Sequence, residues 1–299
     1  MSSTASASSS TPRPVLPSLV SAMHKLAPLS LAESWDNVGI LLEAPMPRSD
    51  SSARGVHLCI DLTTSVCEEA LQDKEVGVIM CYHPLIFRGW KSLTLGDSQQ
   101  RSLLRCAAAG ISIYSAHTSL DAAPQGINDW LATACAGRSD AAAFASKPRA
   151  CQPSKATSIP DDFKLPAGAA VGMGRSFQLA EPVTLDTLVQ RLKKGLGVEH
   201  LQVATPASRP SIISRIAVCA GSGSSVLEGE NDADCWLSGE MSHHAILAAN
   251  AAGKTVILAN HTNTERGYLK SVLKGRLEEV DPTLTVTVSE SDRDPLVVM

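Results

Sequence analysis

Between residues 55 and 137, short apolar runs alternate with longer amphipathic ones, and this alternation most restricts what the chain can become. "GVHLCID" (55 to 61) reads as a buried strand, "TTSVCEEALQDKEV" as a helix behind a threonine cap, and "GVIMCYHPLIF" (77 to 87) as a second strand stopped by proline. "SQQRSLLRCAAAG" then reads as a helix, "ISIYSAH" (111 to 117) as a strand and "PQGINDWLATACAG" as a helix. Strands separated by helices pair in parallel, so the pattern predicts a sheet covered on both faces.

The same style returns later in the chain. "GMGRSFQLA", "HLQVA", "SRIAVCAGSG" and "TVILAN" read as strands, with helices over "TLDTLVQRLKKGLG" and "SHHAILAANAAG". The expected fold class is therefore α/β, with two similar lobes of mostly parallel sheet covered by helices. An opening helix carries Leu16, Leu19, Val20, Met23 and Leu26 at helical spacing. The expected division is a disordered tail over 1–14, a first lobe over 15–137, a linker over 138–165 and a second lobe over 166–299. The linker assignment rests on an aperiodic stretch rich in Ala, Ser and Pro. "TLTVTVSES" alternates as a half-exposed edge strand would.

Composition excludes several classes of function. With 26 Lys plus Arg against 30 Asp plus Glu, the net charge is −4 and no basic stripe forms, which argues against direct nucleic-acid binding. No apolar run reaches the roughly 18 to 20 residues needed to cross a bilayer. The eight cysteines never occur as CxxC and fall mostly in apolar segments, as reduced core thiols do, so no disulfides are expected. The Ser-rich start "MSSTASASSSTPRP" lacks the apolar stretch of a signal peptide; its acid-poor composition fits a transit peptide but its single arginine does not, and a disordered tail is the better reading. A cytoplasmic location, extending to the nucleus rather than the mitochondrion, is the expectation.

In parallel α/β sheets ligands gather beyond the carboxyl ends of the strands. Three such ends carry suggestive residues: "CYHPLIF" with His83, "SAHTSLD" with His117 and Asp121, and "NHTNTERG" with His261 and Glu265. Each has a structural alternative. Thr262 and Glu265 fit a capping box, Asp121 can turn the chain ahead of Pro124, and a single histidine is more often a hydrogen-bonded structural residue than a ligand. Together, imidazoles and carboxylates at equivalent strand ends form a donor set for divalent Zn, Fe or Mn. "GSGSS" (221 to 225) has Val226 where GxGxxG needs its third glycine, so it reads as a tight packing turn before a phosphate cradle. His243 and His244 begin a predicted helix as pocket or surface residues, and "WDN" (35 to 37) reads first as a turn with a packed Trp35.

Six segments in order, "ESWDNVGILLE", "YHPLIFRGWKSLT", "YSAHTSLDAAPQGINDWLA", "CAGSGSS", "GEMSHHAILAA" and "NHTNTERGYL", resemble the NIF-three-like family (NGG-one-interacting factor three-like), especially its eukaryotic branch. The resemblance runs from about residue 16 to 280. It implies a two-lobed α/β fold, a homohexameric ring, and a metal centre of one or two divalent ions facing an internal cavity. Carried over by position, His83, Asp121, His261 and Glu265 are the implied metal ligands. His117 lines the same site, and in the hydrolase expected below Glu265 or His117 would accept a proton. Trp35, Asp36, Tyr82, His243 and His244 complete the implied pocket. Many bacterial relatives have two consecutive histidines where this chain has Tyr82 and His83, which puts the second metal position in doubt. The expected function is a metal-dependent hydrolase of cyclohydrolase-like or phosphate-directed type acting on a small molecule. The alternative is a non-enzymatic metal-binding scaffold or a partner of a transcription regulator.

Overall fold

A computed structural model describes residues 15–48, 53–156, 158–208 and 212–299; the expected tail, 1–14, lies outside the described residues. The chain opens with the helix Val15–Leu26, which buries Leu16, Leu19, Met23 and Leu26 as their spacing requires. Strand β1 (Gly39–Leu42) follows, then the βαβαβ run made of β2 (Gly55–Cys59), β3 (Val76–Cys81) and β4 (Ser112–Ser115). The helices Thr64–Gln72 and Ser98–Ala108 join these three strands. β2, β3 and β4 are buried along their whole length, because helices cover both faces, and they pair in parallel. β1 closes one edge, antiparallel to β4.

After the helix Ile127–Ala136, ended by Gly137 in the left-handed region (φ +73°), the chain crosses to the second lobe. There β5 (Gln152–Pro153) pairs with β6 (Gly172–Met173). A second sheet follows with β7 (Arg175–Val183), β8 (Gln202–Ala204), β9 (Ile213–Ser222), β10 (Cys235–Glu240) and β11 (Thr255–Leu258) in the order β7-β9-β10-β11-β8. Its central pairings are parallel and its edges antiparallel.

Two features differ from the expected division of the chain. The stretch 138–165 is not only a connection. Ala145 donates to Gln178 O (2.9 Å), and Arg149 and Ser176 exchange backbone hydrogen bonds (3.0 and 2.8 Å), so it satisfies the outer edge of β7. The alternating segment near residue 285 is an edge strand, but of the other lobe: β12 (Thr285–Val288) pairs in parallel with β2, so 166–299 does not belong wholly to the second sheet. The reason is visible in the sequence of β2, "GVHLC", which is buried throughout and needs a neighbour on each side. One large core accordingly runs through both lobes, from Leu19 and Val56 through Leu120 and Leu131 to Leu188, Val218 and Ile257. A smaller core under Thr64–Gln72 and Ser98–Ala108 holds Val66, Cys67, Ile79 and Cys106. Among the described residues no helix is long and apolar enough to cross a membrane.

Candidate metal centre

The carboxyl ends of the parallel strands in both sheets supply the side chains of one cavity of about 500 Å³, whose lining includes His83, His117, Asp121, His261 and Glu265. β3 leads to Tyr82 and His83, β4 to His117, and β11 to His261 and Glu265. His83, His261 and Glu265 offer ligand atoms that all lie within 4.8 Å of one another. The Glu265 carboxylate sits between the two rings, with Oε1 3.5 Å from His261 Nε2 and Oε2 3.4 Å from His83 Nε2. It is buried, and its Oε2 has no hydrogen-bond partner.

This geometry decides against the capping box. The Glu265 side chain makes no cap hydrogen bond, and Thr262 Oγ1 donates to Asp294 Oδ2 (2.7 Å) while accepting from Arg266 (2.8 Å). The chain instead makes one 3₁₀ turn, Thr262–Thr264, which carries Glu265 back under His261. Strain marks the same place: Asn260 (φ +66°) and His117 (φ +29°) both lie in a backbone region that costs a non-glycine residue on the order of 1–3 kcal/mol.

Each of the three imidazoles is held from behind by a carboxylate on Nδ1. His83 contacts Asp61 (2.9 Å), His117 contacts Asp36 (2.8 Å) and His261 contacts Glu240 (3.1 Å). Such a partner fixes the tautomer and ring orientation and makes Nε2 more basic, as second carboxylates do behind metal-bound histidines. Asp36 is a full member of the site through His117 and also accepts from Thr118 N (3.1 Å). Burial would raise its carboxyl, but the hydrogen bonds from His117 and Thr118 hold it below its ordinary value. Burial would likewise depress the His83 imidazolium, yet Asp61 and Glu265 outweigh it and raise the group to about 10.

Asp121 lines the same cavity but stands apart from the His83, His261 and Glu265 cluster. Its Oδ1 accepts the Tyr82 hydroxyl at 2.6 Å. Burial raises Asp121 to about 6, against the opposing pull of His117 and of that hydrogen bond. Burial and the nearby carboxylates push the Tyr82 hydroxyl well above its ordinary value, so it serves as a donor. Trp35 stands at the cavity mouth, exposed rather than packed. His243 and His244 do not belong to the site. Ser242 caps the helix His243–Ala251, and both imidazoles are exposed and outside the cavity lining.

Gly221, next to the last residue of β9, has φ +59°, and a Cβ there would come within 2.8 Å of both Glu265 Oε1 and His261 Nε2. The "GSGSS" segment is thus a packing turn, closed by Ser238 Oγ donating to Gly221 O (3.0 Å), and its missing side chain makes room beside the cluster. Reading the sequence missed Asp61 and Glu240. Both sit where β2 and β10 end, so the strand-end rule that picked the histidines would have picked them too.

Comparison with known proteins agrees with the resemblance. A family model described as Duf34/NIF3 (NGG1p interacting factor 3) matches residues 15–295. "Protein NIF3 homolog" of Schizosaccharomyces pombe is 47% identical over 275 residues, covering 90% of this chain and 92% of that one. "NGG1-interacting factor 3" of Saccharomyces cerevisiae is 38% identical over 299 residues, covering 96% and 98%. Among solved structures, the Bacillus cereus protein related to NIF3 superposes with a TM-score of 0.77 at 19% identity, covering 97% of this chain and 100% of that one. Reduced HcgD from Methanocaldococcus jannaschii gives 0.70 at 22% identity, covering 92% and 97%. The matched family model spans both sheets and every residue of the His83, His261 and Glu265 cluster, and the chain belongs to the DUF34/NIF3 family.

Proposed function

We propose that the chain is a divalent-metal protein acting as a hydrolase on a small phosphorylated or nucleotide-like substrate. The observation that carries this reading is the Glu265 carboxylate, buried without a hydrogen bond on Oε2 between two imidazoles that are themselves oriented by Asp61 and Glu240. A purely structural site would close a hydrogen bond on that oxygen, since a buried acceptor without one costs about 1–3 kcal/mol, whereas His83 Nε2 stands 3.4 Å away without making it. Nitrogen and carboxylate donors without thiolate suit Zn, Fe or Mn, and three protein ligands leave positions open for water or substrate. Asp121, which lines the same cavity, would lend a further carboxylate to the ion. One ion per subunit is favoured over two, because Tyr82 already engages one oxygen of Asp121.

A divalent ion held there supplies Lewis-acid chemistry, lowering the pKa of water toward neutrality. The remaining work falls to the protein. His83, His261 and Glu265 bind and orient; His117, its Nδ1 fixed on Asp36, keeps Nε2 for holding or passing a proton near the substrate. The two faces of the site come from different lobes, so the ligand set also joins them. Assembly of six copies into a ring, in the cytoplasm and the nucleus, completes the reading. A second reading, a non-enzymatic partner of a transcription regulator, draws on the printed name of the S. cerevisiae relative, an NGG1-interacting factor.

The test is elemental analysis of the wild type and of His83→Ala, Asp121→Ala, His261→Ala and Glu265→Ala, paired with turnover on a panel of phosphomonoesters and nucleotides. The proposal expects metal to fall in all four and turnover to fall with it. Unchanged metal content across the four variants overturns the centre. Full metal with no turnover favours the partner reading.

A further inference from the structure

The loop Glu33–Asn37 is fastened on both sides of an exposed indole. Glu33 N donates to Thr118 Oγ1 (3.0 Å), Asp36 takes His117 Nδ1 and Thr118 N, and Asn37 Nδ2 donates to Ile86 O (2.5 Å). Trp35 lies in the middle of these anchors and is 59% exposed. Its ring centroid is 6.0 Å from that of His117, edge to face, and 6.0 Å from that of Phe87, itself 53% exposed. Phe87 belongs to the segment that leaves β3 past His83, and both aromatic rings line the cavity that holds the metal cluster. A fixed backbone that leaves two large aromatic rings in solvent, at the mouth of a polar cavity, does not serve the core. It is the arrangement of an amphipathic binding site, with apolar ring surface beside a few placed polar groups.

We propose that Trp35 and Phe87 form a platform for a planar heteroaromatic ring of the ligand, which would place the rest of the molecule over His117 and the His83, His261 and Glu265 cluster. This rests on the metal-centre reading and narrows its substrate class to compounds that carry a planar heteroaromatic ring beside a polar or anionic extension. The two rings are tilted by 56°, so they offer a wall for stacking on the indole rather than a slot closed on both sides. Gln152, Ser222 and Ser225 line the same cavity and supply neutral hydrogen-bonding groups for the extension. Stacking of a base on an aromatic side chain tolerates different bases, because every base has a π face.

The experiment uses the full chain as purified and reads ligand binding by saturation-transfer NMR and calorimetry. The probes are purine, pyrimidine and pyridine mononucleotides, with ribose 5-phosphate as the ringless control. The expected result is saturation transfer to ring protons, binding of at least one nucleotide about tenfold or more tighter than ribose 5-phosphate, and loss of that margin in Trp35→Ala. Trp35→Phe, which keeps a ring, should retain most of it. Equal affinity for ribose 5-phosphate and every nucleotide, or a Trp35→Ala variant that keeps the ring preference, overturns the platform. So does a change of sedimenting mass in Trp35→Ala without any ring-dependent binding, since the indole would then be covered by a second copy. Metal content is measured on the same samples. Ring-dependent binding with no metal retains the platform and removes the metal centre; metal with no ring-dependent binding does the reverse.

Discussion

Replacing Gly221 with Ala tests the site without replacing any of the proposed ligands. The new Cβ would lie 2.8 Å from Glu265 Oε1 and 2.8 Å from His261 Nε2, where ordinary contact begins at 3.4 Å. Each atom must therefore withdraw by about 0.6 Å, three times the roughly 0.2 Å tolerance of a metal–ligand distance. Glu265 is 1% exposed and has nowhere to go, so most of the displacement falls on His261. A positive φ of 59° adds about 1–2 kcal/mol for any L side chain. With the contact, the fold should lose roughly 2–4 kcal/mol, and at the usual unfolding entropy per residue a chain of 299 residues should melt about 3–6 °C lower. The informative quantity is the zinc-dependent rise in melting temperature, measured by calorimetry with and without chelator. The rise should be present in the wild type and absent in Gly221→Ala, with zinc affinity lowered at least about tenfold. A variant that binds zinc with wild-type stoichiometry and affinity would refute the geometric argument, whatever its melting temperature.

Gly275→Ala is the matching control: it lies in the helix Lys274–Val280 with open space around its Cα, so the change should stabilise by about 0.4–1 kcal/mol in thermal melts. In metal-free protein the raised His83 group contributes stability fully present below its ordinary value of 6.5, and that contribution disappears as pH rises toward about 10. Stability measured by urea titration should therefore fall across that window and fall less in His83→Ala. Zinc uptake at pH 7 in weak buffer should release close to one proton in the wild type, since His83 must become neutral to bind, and clearly less in His83→Asn. Asp36 is held below its ordinary value, so its contribution is present above 3.8 and lost as pH falls through the lowered folded value. Asp36→Asn should flatten the acid limb of the stability profile measured by urea titration.

The fold was readable where local and global demands coincide. β2, β3 and β4 are apolar runs with helices between them, and such a pattern has few solutions other than a parallel, covered sheet. The histidines of the cavity were readable because parallel strands deliver their C-terminal side chains to one side of a sheet, which picked out His83, His117 and His261. What stayed hidden depended on distant partners. "TLTVTVSES" announces an edge strand, yet nothing local says that its neighbour is β2, more than two hundred residues earlier. Tyr82 and Asp121 read separately as a substituted ligand and a ligand; only their 2.6 Å hydrogen bond shows that one holds the other. Asp61 and Glu240 look like ordinary strand-end acids until the histidines in front of them are located.

The return of β12 also bears on synthesis. Thr287 pairs with His57, and Asp292 beyond it accepts from Ile60 N (2.7 Å) and pairs with Arg266, next to Glu265. A nascent chain emerges N-terminus first, at about 5–20 residues per second, so β2 spends on the order of ten seconds or more with one edge unpaired before its partner exists. During that interval the first lobe exposes an apolar strand edge of the kind that invites pairing with another chain. The segment that shields this edge is also the one that brings Arg266 and the Glu265 turn against the end of β2. Completion of the sheet and closure of the candidate metal pocket therefore depend on one late segment, and chains stalled before residue 285 should be both aggregation-prone and poorer at retaining metal.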